Sequence, residues 1–298
     1  MIELAERTVP WETAAESDAA LLQWCQENPD LFSKRFLGTE LWEKQTELAF
    51  AVRDHKHVMA VSGNGVGKTR VAACIALWWM NSFEGSQVVT TATTWNQVKN
   101  VLWSEIRALF IWNANAPDEV IRLAGKCDDT RLKIADKWFM VAISTKEPSR
   151  FHGFHSDRVL VIADEAQGIA PKIWDAFEAI AVSNNCRILA LVNPITRSGR
   201  DYENFTRGLW FIVKISCMDH PNVVHGRQVI IGGPTREWIA EREADWGRES
   251  ALFQSRVLAE YPTEEEDTLI PLAWISAAGL ADRCDTSGGT HLGVDPAR

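Results

Sequence analysis

Short runs of apolar residues alternate along the chain with stretches whose apolar positions recur at helical spacing. The runs predict strands at 58–62, 87–93, 131–144 (two strands around the turn Asp136-Lys137), 158–164, 186–193 and 210–217. The helical spacing predicts helices over 15–57 (in two segments), 71–80, 95–110 and 171–183. Continuous apolar strands separated by helices are typical of a mainly parallel sheet with helices on both faces, so the sequence predicts an α/β fold.

Local signals place several helix ends and divide the chain. Asn28-Pro29 breaks the first helical segment, Thr39 is predicted as the N-cap of the second, and Pro171 is placed near N1 of another. After residue 220 loops marked by Gly and Pro precede a helical stretch over 235–261 and a last helix over 269–283. We therefore expect an N-terminal helical segment (1–57), a core domain (58–220), a small helical second subdomain (221–288) and the start of a further domain (289–298).

Composition and charge narrow the class of protein. The 298 residues carry 31 Lys+Arg against 40 Asp+Glu, and this acidic balance argues against a simple charge-coated nucleic-acid binder while leaving local basic loops open. No window approaches the roughly 18 apolar residues of a membrane span, the N-terminus lacks the features of a secretory signal, and the six Cys form no CxxC pair. We expect reduced thiols and a cytoplasmic protein, with most of the fourteen Trp serving as core anchors.

The segment Ser62-Gly63-Asn64-Gly65-Val66-Gly67-Lys68-Thr69 joins a predicted strand to a predicted helix and nearly matches GxxxxGK[ST], with Ser62 in place of the first Gly. Such a loop turns backbone N–H groups toward phosphate, and the helix N-terminus that follows stabilises the anion. Lys68 would reach the β- and γ-phosphates of ATP, and the Thr69 hydroxyl would bind Mg²⁺. Arg70 is a further nucleotide-binding candidate, and a plain Gly-rich turn is the alternative.

A second motif follows 96 residues after Lys68, where the apolar strand 158–164 ends in Asp164-Glu165. Asp164 would hold Mg²⁺, and Glu165 would orient or deprotonate the attacking water. The alternative is a strand that ends in solvated acids. The spacing matches P-loop ATPases of the additional-strand (ASCE, RecA-like) class, in which a further strand lies between the strands that carry the two motifs.

Several weaker candidates lie near these motifs. Asn193 ends the strand 186–193 and could sense the γ-phosphate, although an Asn before Pro also caps turns. Gln45, on the helix before the Gly-rich loop, could read an adenine edge, or be an ordinary helix-surface residue. The loop from Arg197 to Arg200, with Arg207 beyond it, could contact DNA phosphate or be solvated.

The motif series resembles the large terminase subunit of tailed double-stranded-DNA phages. The matching segments are SGNGVGKT, TTATTWNQVKNVLWSEIR, RFHGFHSDRVLVIADEAQGI, ALVNPITRSG and FQSRVLAEYPTEEEDTLIPLAWI followed by LGVDPAR, from about residue 40 onward. The resemblance implies an ATP-driven motor that packages DNA, with Lys68, Thr69, Asp164 and Glu165 as the Walker pairs. It also places Asn193 in the coupling motif and Gln45 beside adenine.

The same resemblance implies partners and further residues. Large terminases act with a portal protein and a small subunit, form rings, and use an arginine finger that a neighbouring subunit supplies in some members. Arg150, Arg158 and Arg70 are candidates for that finger, whereas Asn64 replaces the arginine that some relatives carry in the loop. Asp295 resembles the first metal ligand of a ribonuclease-H-like nuclease domain, and with the later carboxylates absent we expect no nuclease activity.

The sequence is compatible with three functions. The first is a DNA-translocating ATPase of phage packaging in the host-cell cytoplasm, with ATP and Mg²⁺ bound between the sheet and the second subdomain. The second is a helicase-like ATPase, for which residues 220–298 are too short to form a second RecA-like domain. The third is a nucleotide-gated assembly module that binds ATP with negligible turnover.

Overall fold

The computed structural model describes residues 18–143, 148–151 and 153–262. This part of the chain forms eight strands, which are β1 (His57–Ser62), β2 (Gln87–Ala92), β3 (Lys126–Cys127), β4 (Arg131–Ala135), β5 (Trp138–Ala142), β6 (Val159–Asp164), β7 (Arg187–Val192) and β8 (Phe211–Ile215).

All eight strands belong to one sheet in the order β3-β4-β5-β2-β6-β7-β1-β8. The pairs from β5 to β8 are parallel, and the hairpin β4–β5 and the short strand β3 add antiparallel pairs at one edge. Strand β7 lies between β1, which precedes the Gly-rich loop, and β6, which ends in Asp164. The predicted α/β fold of the additional-strand class is thereby confirmed.

Helices cover both faces of this sheet. In the described residues they are α1 (Asp18–Glu27), α2 (Pro29–Leu37), α3 (Glu43–Asp54), α4 (Lys68–Ser82), α5 (Trp95–Gln97), α6 (Trp103–Ala114), α7 (Pro171–Ile180), α8 (Arg200–Thr206), α9 (Pro221–His225), α10 (Arg236–Trp246) and α11 (Ala251–Arg256). A π-helical turn at Val98–Leu102 joins α5 to α6.

The alternation of side chains along β1 shows why both faces need cover. Val58 and Ala60 pack in a core with α1 to α4 and α6, whereas Met59 and Val61 pack in a second core with α7. Tryptophans anchor the first core as expected: Trp78, Trp79 and Trp103 are fully buried. The Trp103 indole N–H donates to Thr90 Oγ1 at 2.8 Å, which satisfies its polar edge.

Thr39 is not the N-cap of α3, so that prediction is wrong. Helix α2 ends at Leu37, its C-cap Gly38 is left-handed (φ +58°), and the N–H of Thr39 donates back to Ser33 O at 2.9 Å. The Thr39 hydroxyl accepts a hydrogen bond from Arg70 instead, and α3 begins only at Glu43. The C-cap of the preceding helix therefore determines the orientation of Thr39.

Other predicted elements need smaller corrections. The helix predicted over 95–110 contains the π-helical turn. The sequence pattern does not predict β3 and α9, which have five residues or fewer, or α8, which lies in a polar stretch. The helix predicted over 269–283 and the segment 289–298 lie outside the described residues, and the domain boundaries stay a prediction. Among the described helices, none is long and apolar enough to cross a membrane.

Candidate functional site

The Gly-rich loop connects the end of β1 at Ser62 with the start of α4 at Lys68. Gly65 (φ +71°) and Gly67 (φ +80°) adopt left-handed backbone conformations, which a residue with a Cβ adopts only with strain. The loop therefore leads into a helix N-terminus, where free backbone N–H groups favour an anion. A cavity of about 530 Å³ opens beside it, lined by Gly65, Gly67, Lys68, Thr69, Arg70, Asn100, Val101, Ser104 and Glu105.

Three predicted site residues meet next to this loop. The Lys68 ammonium lies 3.2 Å from Glu165 Oε1 and donates a hydrogen bond to Asn193 Oδ1. The Asn193 amide donates in turn to the Ser62 carbonyl and to Asn64 Oδ1, both at 3.1 Å. The carboxyl ends of β1, β6 and β7 are thus joined by side chains at one edge of the sheet.

Asp164 and Glu165 have different surroundings although they are neighbours. Asp164 is 2% exposed, and its burial raises the pKa of its carboxyl while the nearby Lys68 ammonium opposes that shift. Glu165 is partly exposed and has a left-handed backbone (φ +52°), which is rare outside glycine. Thr93 Oγ1 donates to the Glu165 carbonyl at 2.9 Å and fixes this turn. The turn directs the Glu165 carboxylate toward Lys68.

Gln167 completes the group, and the sequence analysis missed it. Its Nε2 donates to Glu165 Oε2 at 2.6 Å, and its Oε1 accepts from the backbone N–H of Asn193 at 3.2 Å. The only signal in the sequence is its place two residues after Glu165, which by itself does not show that the amide turns back to the carboxylate.

Gln45 lies under the Gly-rich loop and is 7% exposed. Its amide nitrogen donates to the carbonyls of Val66 at 3.2 Å and Gly67 at 3.4 Å. A bidentate contact of the same amide with adenine would require these bonds to be released. The adenine contact stays a prediction, and the structure gives Gln45 the additional role of supporting the loop.

The three arginine candidates occupy different places. Arg70 lines the cavity and bonds Glu105 at 3.1 Å and Thr39 at 2.8 Å, and Arg150 is exposed on the short turn Pro148–Phe151. Arg158 precedes β6, about 20 Å from Asp164 at the usual strand rise, and its guanidinium lies over Phe83 at 4.7 Å. Arg158 therefore does not reach the site of its own chain, and a role in a neighbouring subunit stays a prediction.

The basic loop after β7 makes contacts within the chain. Arg200 lies 3.6 Å from Asp175, Arg207 lies 3.4 Å from Glu203, and Arg197 donates to the Tyr261 carbonyl at 3.3 Å. Carboxylate partners compete with phosphate for the guanidinium groups of Arg200 and Arg207. Contact between this loop and DNA stays a prediction. Asp295 lies outside the described residues.

The segment after β8 closes the other side of the Gly-rich loop. Asn64 N–H donates to the Arg256 carbonyl at 2.7 Å, and the Cys217 thiol donates to the Asn64 carbonyl at 3.2 Å. A second cavity of about 370 Å³ lies here, lined by Asn64, Gly65, Gly232, Gly233, Pro234, Thr235 and Trp238. The loop is therefore held between the sheet and residues that follow position 216.

His220 supports the wall of this second cavity and makes stability pH-dependent. Its ring is 1% exposed, packs edge-on to Trp42, and leaves no room for a side chain at Gly233. Burial lowers the pKa of His220, so the folded chain binds fewer protons than the unfolded chain below the ordinary histidine pKa of about 6.5. The contribution of His220 to stability is present above that pH and is lost as the pH falls.

We expect the urea midpoint to fall between about pH 7.5 and about pH 5.5, on either side of the ordinary histidine pKa, and to fall less in His220→Gln. The matched control is His225→Gln, which changes an exposed histidine of the same segment and should keep the wild-type pH dependence. Equal pH dependence of wild type and His220→Gln would contradict the assignment.

The fold and this arrangement of side chains define a P-loop ATPase fold of the additional-strand class. Comparison with known proteins confirms the more specific resemblance to large terminase subunits. The chain is 21% identical over 261 residues to a curated protein described as a probable terminase large subunit of Enterobacteria phage P7, covering 83% of this chain and 50% of that protein. The chain thus spans half the length of this relative, and no protein-family model matches it.

Solved structures show the same fold. The large terminase ATPase domain of Thermus phage P74-26 matches with a TM-score of 0.55 and 18% identity, over 76% of this chain and 96% of that domain. The large terminase of bacteriophage HK97 matches with a TM-score of 0.56 and 15% identity, over 79% of this chain and 55% of that protein. The large terminase of bacteriophage D6E, solved with ADP, matches with a TM-score of 0.54 and 13% identity, over 74% of this chain and 54% of that protein.

Proposed function

We propose that this chain is the ATPase part of a phage large terminase, which hydrolyses ATP to translocate double-stranded DNA into a procapsid. The convergence of Lys68, Glu165 and Asn193 beside the Gly-rich loop carries this proposal. An ammonium, a carboxylate and an amide at one point serve phosphate binding, water activation and detection of the γ-phosphate. The similarity to terminases supports the motor function over a helicase, and the D6E large terminase has been solved with ADP and with ATP-gamma-S.

The contacts of Lys68 indicate how ATP would engage the site. Its ammonium bonds Glu165 and Asn193, and both bonds are exchanged for phosphate oxygens when the β- and γ-phosphates lie against the loop. That exchange frees Glu165 Oε1 to accept a hydrogen bond from the attacking water. Asn193 is released at the same time, so the end of β7 responds to the phosphate.

The chain also offers a fitting place for Mg²⁺. Asp164 is buried with a raised pKa, and among the described residues no salt bridge reaches it. The buried Ser62 hydroxyl has no hydrogen-bond partner in the described part of the chain. Mg²⁺ binds through one or two protein oxygens plus phosphates and water, so Asp164 and the Thr69 hydroxyl would hold it. Bound Mg²⁺ would neutralise charge on the phosphates.

The proposed function also includes assembly of several chains and other packaging proteins on DNA. A large terminase acts on double-stranded DNA together with a portal protein and a small subunit, and a ring of chains would place an arginine of one subunit at the site of the next. Arg150 and Arg158 are candidates for that role, since Arg150 is exposed and Arg158 lies away from the site of its own chain.

The test is steady-state ATP hydrolysis at high protein concentration, with and without linear double-stranded DNA, beside Lys68→Ala. We expect turnover that DNA increases and that Lys68→Ala abolishes, because that variant lacks the ammonium that binds phosphate. Tight ATP binding without turnover in any condition would favour the nucleotide-gated module. Unwinding of a duplex by the chain would favour the helicase.

A further inference from the structure

We infer that Gln167 is a positioning residue for Glu165 and holds that carboxylate while ATP is bound. The inference rests on the proposed ATPase function and adds a residue that neither the motif series nor the similarity to terminases assigns. It follows from the two hydrogen bonds at opposite ends of one side-chain amide.

Both ends of the Gln167 amide are occupied by site elements. Nε2 donates to Glu165 Oε2 at 2.6 Å, and Oε1 accepts the N–H of Asn193, the first residue after β7, at 3.2 Å. Because the second bond fixes the plane of the amide, the N–H that faces Glu165 has one direction. The end of β7 and the Glu165 carboxylate are therefore joined through a single neutral side chain.

This bond becomes more important when nucleotide enters. In the present structure Lys68 holds Glu165 Oε1 and Gln167 holds Oε2, so both carboxylate oxygens have partners. Under the proposed function Lys68 moves to phosphate, and the bond from Gln167 stays. Without that bond the glutamate side chain regains torsional freedom, and fewer of its conformers point a carboxylate oxygen at the attacking water.

The backbone of the turn does not depend on the Gln167 side chain. The Gly168 N–H donates to the Glu165 carbonyl at 3.1 Å, and the Thr93 hydroxyl donates to the same carbonyl at 2.9 Å. Gly168 itself packs directly on Thr93. Loss of the amide should therefore leave the turn folded, which separates an effect on positioning from an effect on structure.

Two variants isolate the two bonds. Gln167→Met keeps the length of the side chain and removes both bonds. Gln167→Glu keeps the acceptor for Asn193 N–H and replaces the donor toward Glu165 by a carboxylate oxygen, which repels that carboxylate. The control is Gln23→Met, because Gln23 also donates to a glutamate, Glu27 Oε1 at 3.1 Å, on the exposed surface of α1.

For Gln167→Met we expect kcat to fall about tenfold while KM for ATP stays within about twofold, as for a group that acts only on orientation. Gln167→Glu should lose at least as much kcat, and Gln23→Met should match the wild type. The thermal midpoint of Gln167→Met should also match the wild type.

Three results would overturn the inference. The first is a kcat of Gln167→Met close to the wild-type value, and the second is a change of kcat, KM and thermal midpoint together in Gln167→Met. The third is full activity of Gln167→Glu. If any of these results is observed while Glu165→Gln is inactive, Gln167 has no positioning role, but the proposed function is still supported. A wild-type chain with no turnover in the presence of DNA would remove the proposed function, and the inference with it.

Discussion

Glu165→Gln should lower kcat for ATP hydrolysis by about 10²–10⁴-fold while ATP still binds, which is the range expected for loss of a positioned base. The carboxylate lies beside Lys68, at the point where the γ-phosphate would meet the attacking water. The Gln side chain has the size of Glu and can still accept the hydrogen bond from Gln167 Nε2, but its amide cannot accept the proton of the attacking water. Binding should persist because Lys68 and the backbone of the Gly-rich loop remain.

The measurement pairs steady-state hydrolysis with equilibrium binding of a fluorescent ATP analogue. Glu178→Gln is the matched control, since Glu178 also pairs with a basic side chain, His57 at 3.1 Å, at the other edge of the sheet. That variant should hydrolyse ATP like the wild type. Turnover of Glu165→Gln close to the wild-type rate would show that another group orients the water.

The site residues that the sequence predicts are those whose position follows from the local pattern and from the topology of the sheet. Lys68 begins a helix, while Asp164 and Asn193 each stand at the end of an apolar strand. The carboxyl ends of neighbouring parallel strands meet at one edge of a sheet, so an α/β pattern already brings such residues together. The fold class and the central site were predictable for this reason.

The residues that escaped prediction depend on contacts between distant parts of the chain. Gln167 acquires its role from the Asn193 N–H, 26 residues further along the chain. The residue type of Thr39 favours an N-cap, whereas the C-cap of α2 at Gly38 and the guanidinium of Arg70 decide its contacts. Arg158 is a finger candidate by the resemblance, and its place at the start of β6, at the opposite end of the strand from Asp164, keeps it away from the site of its own chain.

The requirement for glycine at position 63 also depends on contacts between distant parts of the chain. Gly65 and Gly67 have positive φ, where glycine is favoured because it lacks a Cβ, but Gly63 does not. A Cβ at Gly63 would instead lie 2.7 Å from Cys217 Sγ, 2.8 Å from the Arg256 carbonyl and 3.1 Å from the Val257 carbonyl. Packing against Cys217 and the C-terminal end of α11, rather than backbone conformation, excludes a side chain there.

Gly63→Ala should therefore weaken folding and ATP binding together. The Arg256 carbonyl cannot retreat without breaking its 2.7 Å bond to the Asn64 N–H, and the Val257 carbonyl is held by the N–H of Cys217 at 2.9 Å. Overpacking of this kind costs about 1–3 kcal/mol, and displacement of the loop moves the N–H groups that would face phosphate. We expect a lower thermal midpoint and an ATP affinity reduced at least about tenfold, the equivalent of 1.4 kcal/mol.

The matched control is Gly153→Ala, because a Cβ at that exposed glycine meets no atom of the described residues within 4 Å. It should leave both the thermal midpoint and the ATP affinity unchanged. Combining Gly63→Ala with Cys217→Ala tests the cause: removal of the thiol relieves only one of the three close contacts, so the defect should persist. If the double variant binds ATP like the wild type, the thiol alone excludes the side chain and the carbonyls of Arg256 and Val257 do not hold the loop.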